Sequence, residues 1–440
     1  MGSLRQLSSL KHRVRRAHPL RGSMRRSLAA MERASGDELT RYQNRRLRML
    51  VRLAERRSPF YRAWFRESGV DPSAIRTVDD LALLPLLERR HLVDFPRDFL
   101  VYPQRMAWAA HSSGTSGRPV TAYRTPGSSV YEFAALERQW SWFGLPRGAR
   151  RVVMRGVDFA ADRPGTVTMR VPGAGQLFVS SYHLTPEHLP AIVAALREFQ
   201  PHAVEGWPSS IALLAGLLHE AGQRLPVGAI ITSSEVVSPA QLALMREVFA
   251  GPIVDHYGQT ERVAMAGSCE AGGYHVFSDY GIVELLPVPG KENRWEIVGT
   301  PLHNWGFPLL RYRTGDEVGP APEGPCPCGR AFPLLGAVDG RVEDTFTATD
   351  GRPIPLPSSI VDDLIGLREA QVVQSAPGHF TIRMVPGVGF DPARVEEHAR
   401  RNVDRLVGPG QWVDFETMAR IPRSASGKFK SAVKLGSLVG

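Results

Sequence analysis

Cysteine is nearly missing, with three residues in 440. An odd, sparse count builds no disulfide scaffold and suits a reducing compartment, so we expect a cytoplasmic protein. No run of about 18 apolar residues occurs, and no transmembrane helix is expected. Acidic residues are scarce only at the start. Residues 1–58 carry 16 Lys/Arg against 4 Asp/Glu, a net of +12, so the rest of this +10 chain sums to −2. Nucleic acid is therefore not expected as the main partner. No apolar segment follows the first basic residues, which argues against a secretory signal. Residues 1–35 read as a basic, solvated and poorly ordered arm. There is no internal repeat and no low-complexity tract. The chain is too long for one core, and two domains are expected.

What is present is patterned. Leu39, Tyr42, Leu47, Leu50 and Leu53 recur at helical steps, giving an amphipathic helix over 37–57. Ser129 and Glu132 have the spacing of a capping box, opening a helix that ends at Gly144 and Pro146. Apolar runs at Arg151–Met154, Gln176–Ser180, Ala203–Gly206, Gly228–Thr232 and Pro252–His256 alternate with helical stretches. Thr185-Pro186 and Ser238-Pro239 read as helix starts. This is βαβ spacing, hence a largely parallel sheet with ligands at the carboxyl ends of its strands. Gly281–Leu286, Trp295–Gly299 and Leu309–Arg313 read as antiparallel strands. Beyond about residue 341 the texture changes to two strands, a helix over Pro392–Leu406 and a further strand. The fold class expected is α/β. A large multi-sheet N-terminal domain with parallel βαβ units, 36–340, precedes a small mobile α+β C-terminal domain, 341–440.

The chemistry concentrates in polar turns. Ser112-Ser113-Gly114-Thr115-Ser116-Gly117-Arg118-Pro119 has the glycines, hydroxyls and charge that wrap an anion, although read alone it is equally a polar surface turn. It is not the Walker pattern. Ser234-Glu235 follows one apolar run, and Tyr257-Gly258-Gln259-Thr260-Glu261 follows another. Tyr312-Arg313-Thr314-Gly315-Asp316, then Gly340-Arg341, then Pro422-Arg423-Ser424-Ala425-Ser426-Gly427-Lys428 complete the series. Each is weak alone; their order and spacing are specific.

Taken together, these motifs resemble the adenylate-forming superfamily over about residues 40–435. Thr300-Pro301-Leu302-His303-Asn304, Pro308–Tyr312 and Cys326-Pro327-Cys328-Gly329-Arg330 look like its phenylacetate–CoA ligase branch, nearest the capsule-polysaccharide and secondary-metabolism members. The resemblance implies ATP- and Mg²⁺-dependent activation of a carboxylic acid as acyl-AMP, then transfer to the thiol of CoA. Transfer to an amine or a carrier protein is the alternative, and a non-catalytic nucleotide-binding protein on the same fold is a third reading.

The resemblance also assigns roles. Ser112, Ser113, Gly114, Thr115, Ser116 and Gly117 close over the β- and γ-phosphates, with Arg118 where Lys is more usual. Tyr257 and Gly258 lie against adenine, and Thr260 donates to the α-phosphate. Glu261 holds Mg²⁺, since a hard cation prefers carboxylate oxygen. Asp316 suits the ribose hydroxyls, Arg341 the ribose or phosphate, and Ser234 and Glu235 line the nucleotide site. Lys428 is the catalytic lysine of the small domain, hinged near Glu343-Asp344.

The aromatic helix supplies Tyr131 and Trp140 as walls of an aromatic acid pocket, with Gly206 and Trp207. The same cluster reads equally as core. Cys269, His275, Cys326 and Cys328 give C-x₅-H plus C-x-C, the donor set of a closed structural Zn²⁺ site. A homodimer is compatible with the sequence.

Overall fold

The computed structural model describes residues 18–111, 120–155, 166–171, 173–237, 239–341, 346–351, 353–354, 357–361, 364–423 and 429–435. They form two compact units, one from residues 18–111, 120–147 and 254–338, the other from 148–253 and 339–435. Among the described residues no helix is long and apolar enough to cross a membrane.

The first unit opens on helices. Gly36–Arg57 starts at a full capping box, Ser35 with Glu38, and buries Leu39, Tyr42, Leu47, Leu50, Val51 and Ala54 on one face. Ahead of it lies a helix that charge alone did not suggest. Arg21–Glu32 buries Leu28, and Arg21 and Arg25 both pair with Glu137. The expected solvated arm is thus corrected over this stretch. Leu28, with Met24 and Met31 packed beside it, and the two ion pairs hold it against the helix Pro126–Trp142.

That second helix begins a turn earlier than its S-x-x-E pattern suggests. Thr125 accepts from the Ser128 N–H at 3.2 Å, and Pro126 supplies a first position that needs no donor. Ser129 falls inside, buried, and its hydroxyl receives Arg262 Nη1 at 3.3 Å. Arg138 of the same helix forms a buried fork with Asp279 (Nη2–Oδ1 3.1 Å) and also donates to the Leu28 carbonyl. Asp279→Ala would strand the arginine charge in the core. We expect a loss of about 3–5 kcal/mol in urea unfolding, whereas exposed pairs such as Arg401–Glu397 contribute little.

The antiparallel strands of this unit are Gly281–Pro287, Trp295–Pro301 and Tyr312–Val318. The last starts three residues later than its apolar run implies. Arg311 has a φ of 56°, a left-handed conformation that no strand accommodates. Ile253–Gly258, Met265–Ser268 and Tyr274–Val276 form a second antiparallel set.

In the second unit the strands Ala229–Ser233, Ala203–Gly206, Arg151–Arg155 and Gln176–Ser180 run parallel in that order, with Thr168–Val171 antiparallel at the edge. Leu189–Phe199, Pro208–Glu220 and Pro239–Phe249 pack against them through Ile192, Leu196, Ile211, Leu214 and Phe249. The Thr185-Pro186 start is corrected. The helix begins at Leu189: the His188 and Leu189 N–H groups both donate to the Thr185 carbonyl, at 3.2 and 3.1 Å, and Pro190 has no N–H to extend the ladder back to Pro186. Pro239 does open its helix, while Ser238 lies outside the described residues.

The C-terminal portion pairs Leu367–Ala376 with His379–Pro386 antiparallel, and adds Trp412–Thr417 and Ala432–Lys434 parallel to them. The helix Pro392–Leu406, capped by Asp391, covers this sheet with Val395, Ala399 and Val403.

Candidate active site

Two polar turns of the first unit meet. The strand Ile253–Gly258 ends in Tyr257, and Tyr312–Val318 carries Asp316. The Tyr257 hydroxyl donates to Asp316 Oδ2 at 2.6 Å and accepts from Gln259 Nε2 at 2.7 Å. Burial, then the adjacent Asp316 charge, pushes the Tyr257 phenol well above its ordinary value, so it stays a donor. Asp316 is itself buried. Its N–H donates to Thr314 Oγ1 at 3.0 Å, and that hydroxyl donates to the Ile297 carbonyl at 2.8 Å. Gly315 between them has a φ of 74°, which a side chain would resist.

The turn after Tyr257 is tight. The Arg262 N–H donates to the Gln259 carbonyl at 3.2 Å, and Ala264 donates to the Gln259 side chain at 3.3 Å. Arg262 itself sits at a φ of 59°, held there by Ser129 and by an ion pair with Glu132. This strained turn presents Thr260 and Glu261. The Tyr312 hydroxyl donates to Glu261 Oε1 at 3.1 Å. Glu261 is only 3% exposed, yet its Oε2 has no hydrogen-bond partner among the described residues. An unpaired buried carboxylate oxygen is costly unless something positive completes it. The donor is hard oxygen, which fits Mg²⁺.

In the second unit, Glu235 Oε2 accepts from the Ser209 N–H at 3.1 Å, at the start of the helix Pro208–Glu220. Its neighbour Ser234 has a φ of 69°. Trp207 is buried as the residue before that helix. Gly206 is a close-packing position: a Cβ there would lie 3.1 Å from Met154 Cβ.

Tyr131 and Trp140, expected as pocket walls, are both buried and meet protein side chains. The Tyr131 hydroxyl donates to the Asp279 carbonyl at 2.9 Å and lies 3.2 Å from the Tyr42 hydroxyl. Trp140 meets Phe133 edge to face. Tyr131 and Tyr280 flank His303, with ring centroids 5.4 and 3.9 Å away. Burial pushes the His303 imidazole down to about 3, against 6.5 in the open chain. Its contribution to stability is therefore complete above about pH 6.5 and is lost as pH falls toward 3. The slope reaches about 1.4 kcal/mol per pH unit. We expect the urea midpoint of His303→Asn to fall less steeply than wild type between pH 7 and 5.

The four metal-ligand candidates converge. One donor atom each from Cys269, His275, Cys326 and Cys328 lies within 4.8 Å of all the others. Two turns shape the cradle: the Gly272 N–H donates to the Cys269 carbonyl, and Gly329 donates to that of Cys326, both at 3.0 Å. His275 Nδ1 lies 2.8 Å from the Phe332 carbonyl, which leaves Nε2, 3.3 Å from Cys328 Sγ, as the ligand nitrogen. Gly273 is required, since a Cβ would lie 2.7 Å from Cys326 Sγ. Burial pushes the Cys269 thiol up to about 11. Without a cation the cluster would be a set of thiols; the donor set fits Zn²⁺.

Ser112–Gly117, Glu343-Asp344, Lys428 and the side chain of Arg341 lie outside the described residues. Motif reading gave no role to Tyr312, Gln259 or Arg124. The first two stand inside motifs, whereas Arg124 carries no local signal.

No family model matches the chain. It is 27% identical over 345 residues to a phenylacetate-coenzyme A ligase of Thermus thermophilus, covering 71% of this chain and 73% of that protein. It is 21% identical over 409 residues to protein CapK of Staphylococcus aureus, covering 90% and 89%. Among solved structures, a 2-hydroxyisobutyryl-CoA ligase in the postadenylation state matches with a TM-score of 0.71 at 20% identity, covering 92% of this chain and 91% of that one. By sequence the chain is thus similar to the phenylacetate-coenzyme A ligases and to protein CapK, and its fold is that of the 2-hydroxyisobutyryl-CoA ligase.

Proposed function

We propose that this protein is an AMP-forming acid–thiol ligase. It would activate a carboxylic acid, an aromatic one as for the phenylacetate-coenzyme A ligases it resembles, and transfer the acyl group to CoA. The observation that carries this reading is the Glu261 turn. A buried carboxylate with one unfilled oxygen stands next to Thr260 on the turn that Tyr257 opens, and the following residue, Arg262, is held at a positive φ.

In the first half-reaction an oxygen of the acid attacks the α-phosphorus of ATP, and pyrophosphate leaves. Charge grows on the α-phosphate and on the leaving group. Mg²⁺ neutralises that charge when bound, and Glu261 is the residue that would hold it. Tyr257 lies against the adenine, with its ring fixed by its bond to Asp316. Asp316 accepts from the ribose hydroxyls, and the Thr260 hydroxyl donates to the α-phosphate. Lys428 bridges the acid carboxylate and the ribose–phosphate region. In the second half-reaction the thiol sulfur of CoA attacks the acyl carbon, loses its proton, and AMP leaves.

A Zn²⁺ held by the cysteine–histidine cluster would be structural. Cys269, His275, Cys326 and Cys328 leave no ligand position open for chemistry.

The test is acid-dependent pyrophosphate release with ATP and Mg²⁺, with and without CoA. The panel covers benzoic, phenylacetic, cinnamic, amino- and hydroxy-aryl and aliphatic acids. An aryl acid that releases pyrophosphate and forms a thioester with CoA supports the proposal. An adenylate released only by an amine or a carrier-protein thiol replaces the second half of it. ATP binding with no pyrophosphate release from any acid overturns it.

A further inference from the structure

Arg124 belongs to no motif of the site. It ends the short strand Thr121–Arg124, where it pairs with Trp108 across a hairpin. Its Nη2 donates to the Thr260 carbonyl at 2.8 Å. Its Nε is covered by protein and has no acceptor, and the guanidinium makes no other hydrogen bond among the described residues. Glu261 lies close enough for its charge to act on this guanidinium. Even so, no ion pair within 4 Å joins the two.

A buried carboxylate and a half-buried guanidinium that do not pair with one another are an expensive arrangement. Each keeps unused capacity: Glu261 has one oxygen, Arg124 its remaining N–H groups. Held apart, they suit a third group that carries both signs, a cation bound to an oxyanion. Mg²⁺ with a phosphate of ATP is such a group. The cation goes to Glu261 and the phosphate oxygen to Arg124. Only arginine has the fork to hold a backbone carbonyl with one N–H and an oxyanion with another; lysine is a single point charge.

We propose that Arg124 is a further nucleotide-binding residue, donating to a phosphate oxygen of Mg·ATP while its Nη2 fixes the carbonyl of Thr260. This rests on the reading of the Glu261 turn as an ATP site. The same oxyanion chemistry is offered by the carboxylate of the acid, so the test is run without any acid.

Calorimetry of the full chain with Mg·ATP, and separately with adenosine, compares wild type with Arg124→Gln and Arg124→Lys. We expect Arg124→Gln to weaken Mg·ATP about tenfold or more, as loss of a charge-assisted hydrogen bond does, and to leave adenosine binding unchanged. Arg124→Lys should fall between, and it carries the same comparison if the glutamine variant fails to fold. Equal weakening of ATP and adenosine would overturn the proposal, because Arg124 would then be shaping the turn alone. Unchanged ATP affinity would overturn it too, and would hand the oxyanion role to the acid. Absence of ATP binding in wild type would instead overturn the ATP-site reading.

Discussion

Glu261→Gln should lower the rate of acid-dependent pyrophosphate release about a thousandfold, the expected size when a few kcal/mol of charge stabilisation is lost. The same variant should melt at a higher temperature than wild type when no nucleotide is present. The two signs have one cause. Glutamine matches glutamate in size, and its carbonyl oxygen still accepts from Tyr312, which donates to Oε1 at 3.1 Å. The turn is held independently by Gln259, Ser129 and Glu132, so the substitution removes charge and little else. What disappears is a buried anionic oxygen with no partner, a feature that costs stability in the empty protein. With Mg·ATP added, wild type should gain melting temperature and the variant should gain less, because the cation has lost its ligand. Scanning calorimetry with and without Mg·ATP, beside the pyrophosphate assay, reads both effects. A variant that is slow and also unstable would mean that Glu261 is a structural residue. A variant as fast as wild type would remove it from the cation site altogether.

That turn also shows what the sequence could and could not convey. Tyr257, Thr260, Glu261 and Asp316 are legible because each stands in a contiguous polar motif in or next to a strand. Local chemistry and local geometry agree there. Arg124 is illegible for the opposite reason: its partner stands 136 residues away, and a lone arginine in a short strand looks like any solvated one. The aromatic helix is ambiguous for a third reason. Composition marks Tyr131 and Trp140 as places that need apolar surroundings, and both a core and a planar ligand satisfy that need. Only tertiary contacts decide, and here Tyr42, Asp279 and His303 occupy the surroundings of Tyr131. The helix start shows two local rules in competition. Ser129 with Glu132 obeys the capping-box spacing, but Thr125-Pro126 offers an earlier cap together with a residue whose φ is already helical. The strand that should have begun at Leu309 is cut off by the backbone of Arg311. Its φ of 56° is fixed by remote partners, Thr300 and Glu284, that no window around residue 311 contains.

Zinc removal should unfold the first unit rather than stop its chemistry directly. We expect one Zn²⁺ per chain in the protein as purified. Titration with a mercurial should release that ion as three thiols react, because the chain has three cysteines and all of them lie in the cluster. Cys326→Ser should cost several kcal/mol of stability, since the binding free energy of a closed zinc site is largely folding free energy. The physical reason is visible in what the cluster joins. Cys269 and His275 flank one turn, Cys326 and Cys328 another more than fifty residues on, and the Cys269 and Cys326 sulfurs stand 3.6 Å apart. Without a cation that approach brings buried thiols together with an imidazole. Arg330, directly after the second turn, lies 4.0 Å over the Trp142 ring and pairs with Glu270, so loosening the metal also loosens the end of the helix Pro126–Trp142. That helix carries Ser129 and Glu132, the two residues that hold Arg262 in its strained turn. A chelator should therefore lower the melting temperature first. Pyrophosphate release should fall with the folded fraction, with the KM for ATP unchanged in molecules that remain folded. A chelated protein that stays folded but inactive would place the ion in the reaction instead, and a protein that never binds zinc would leave the four side chains as a reduced thiol cluster.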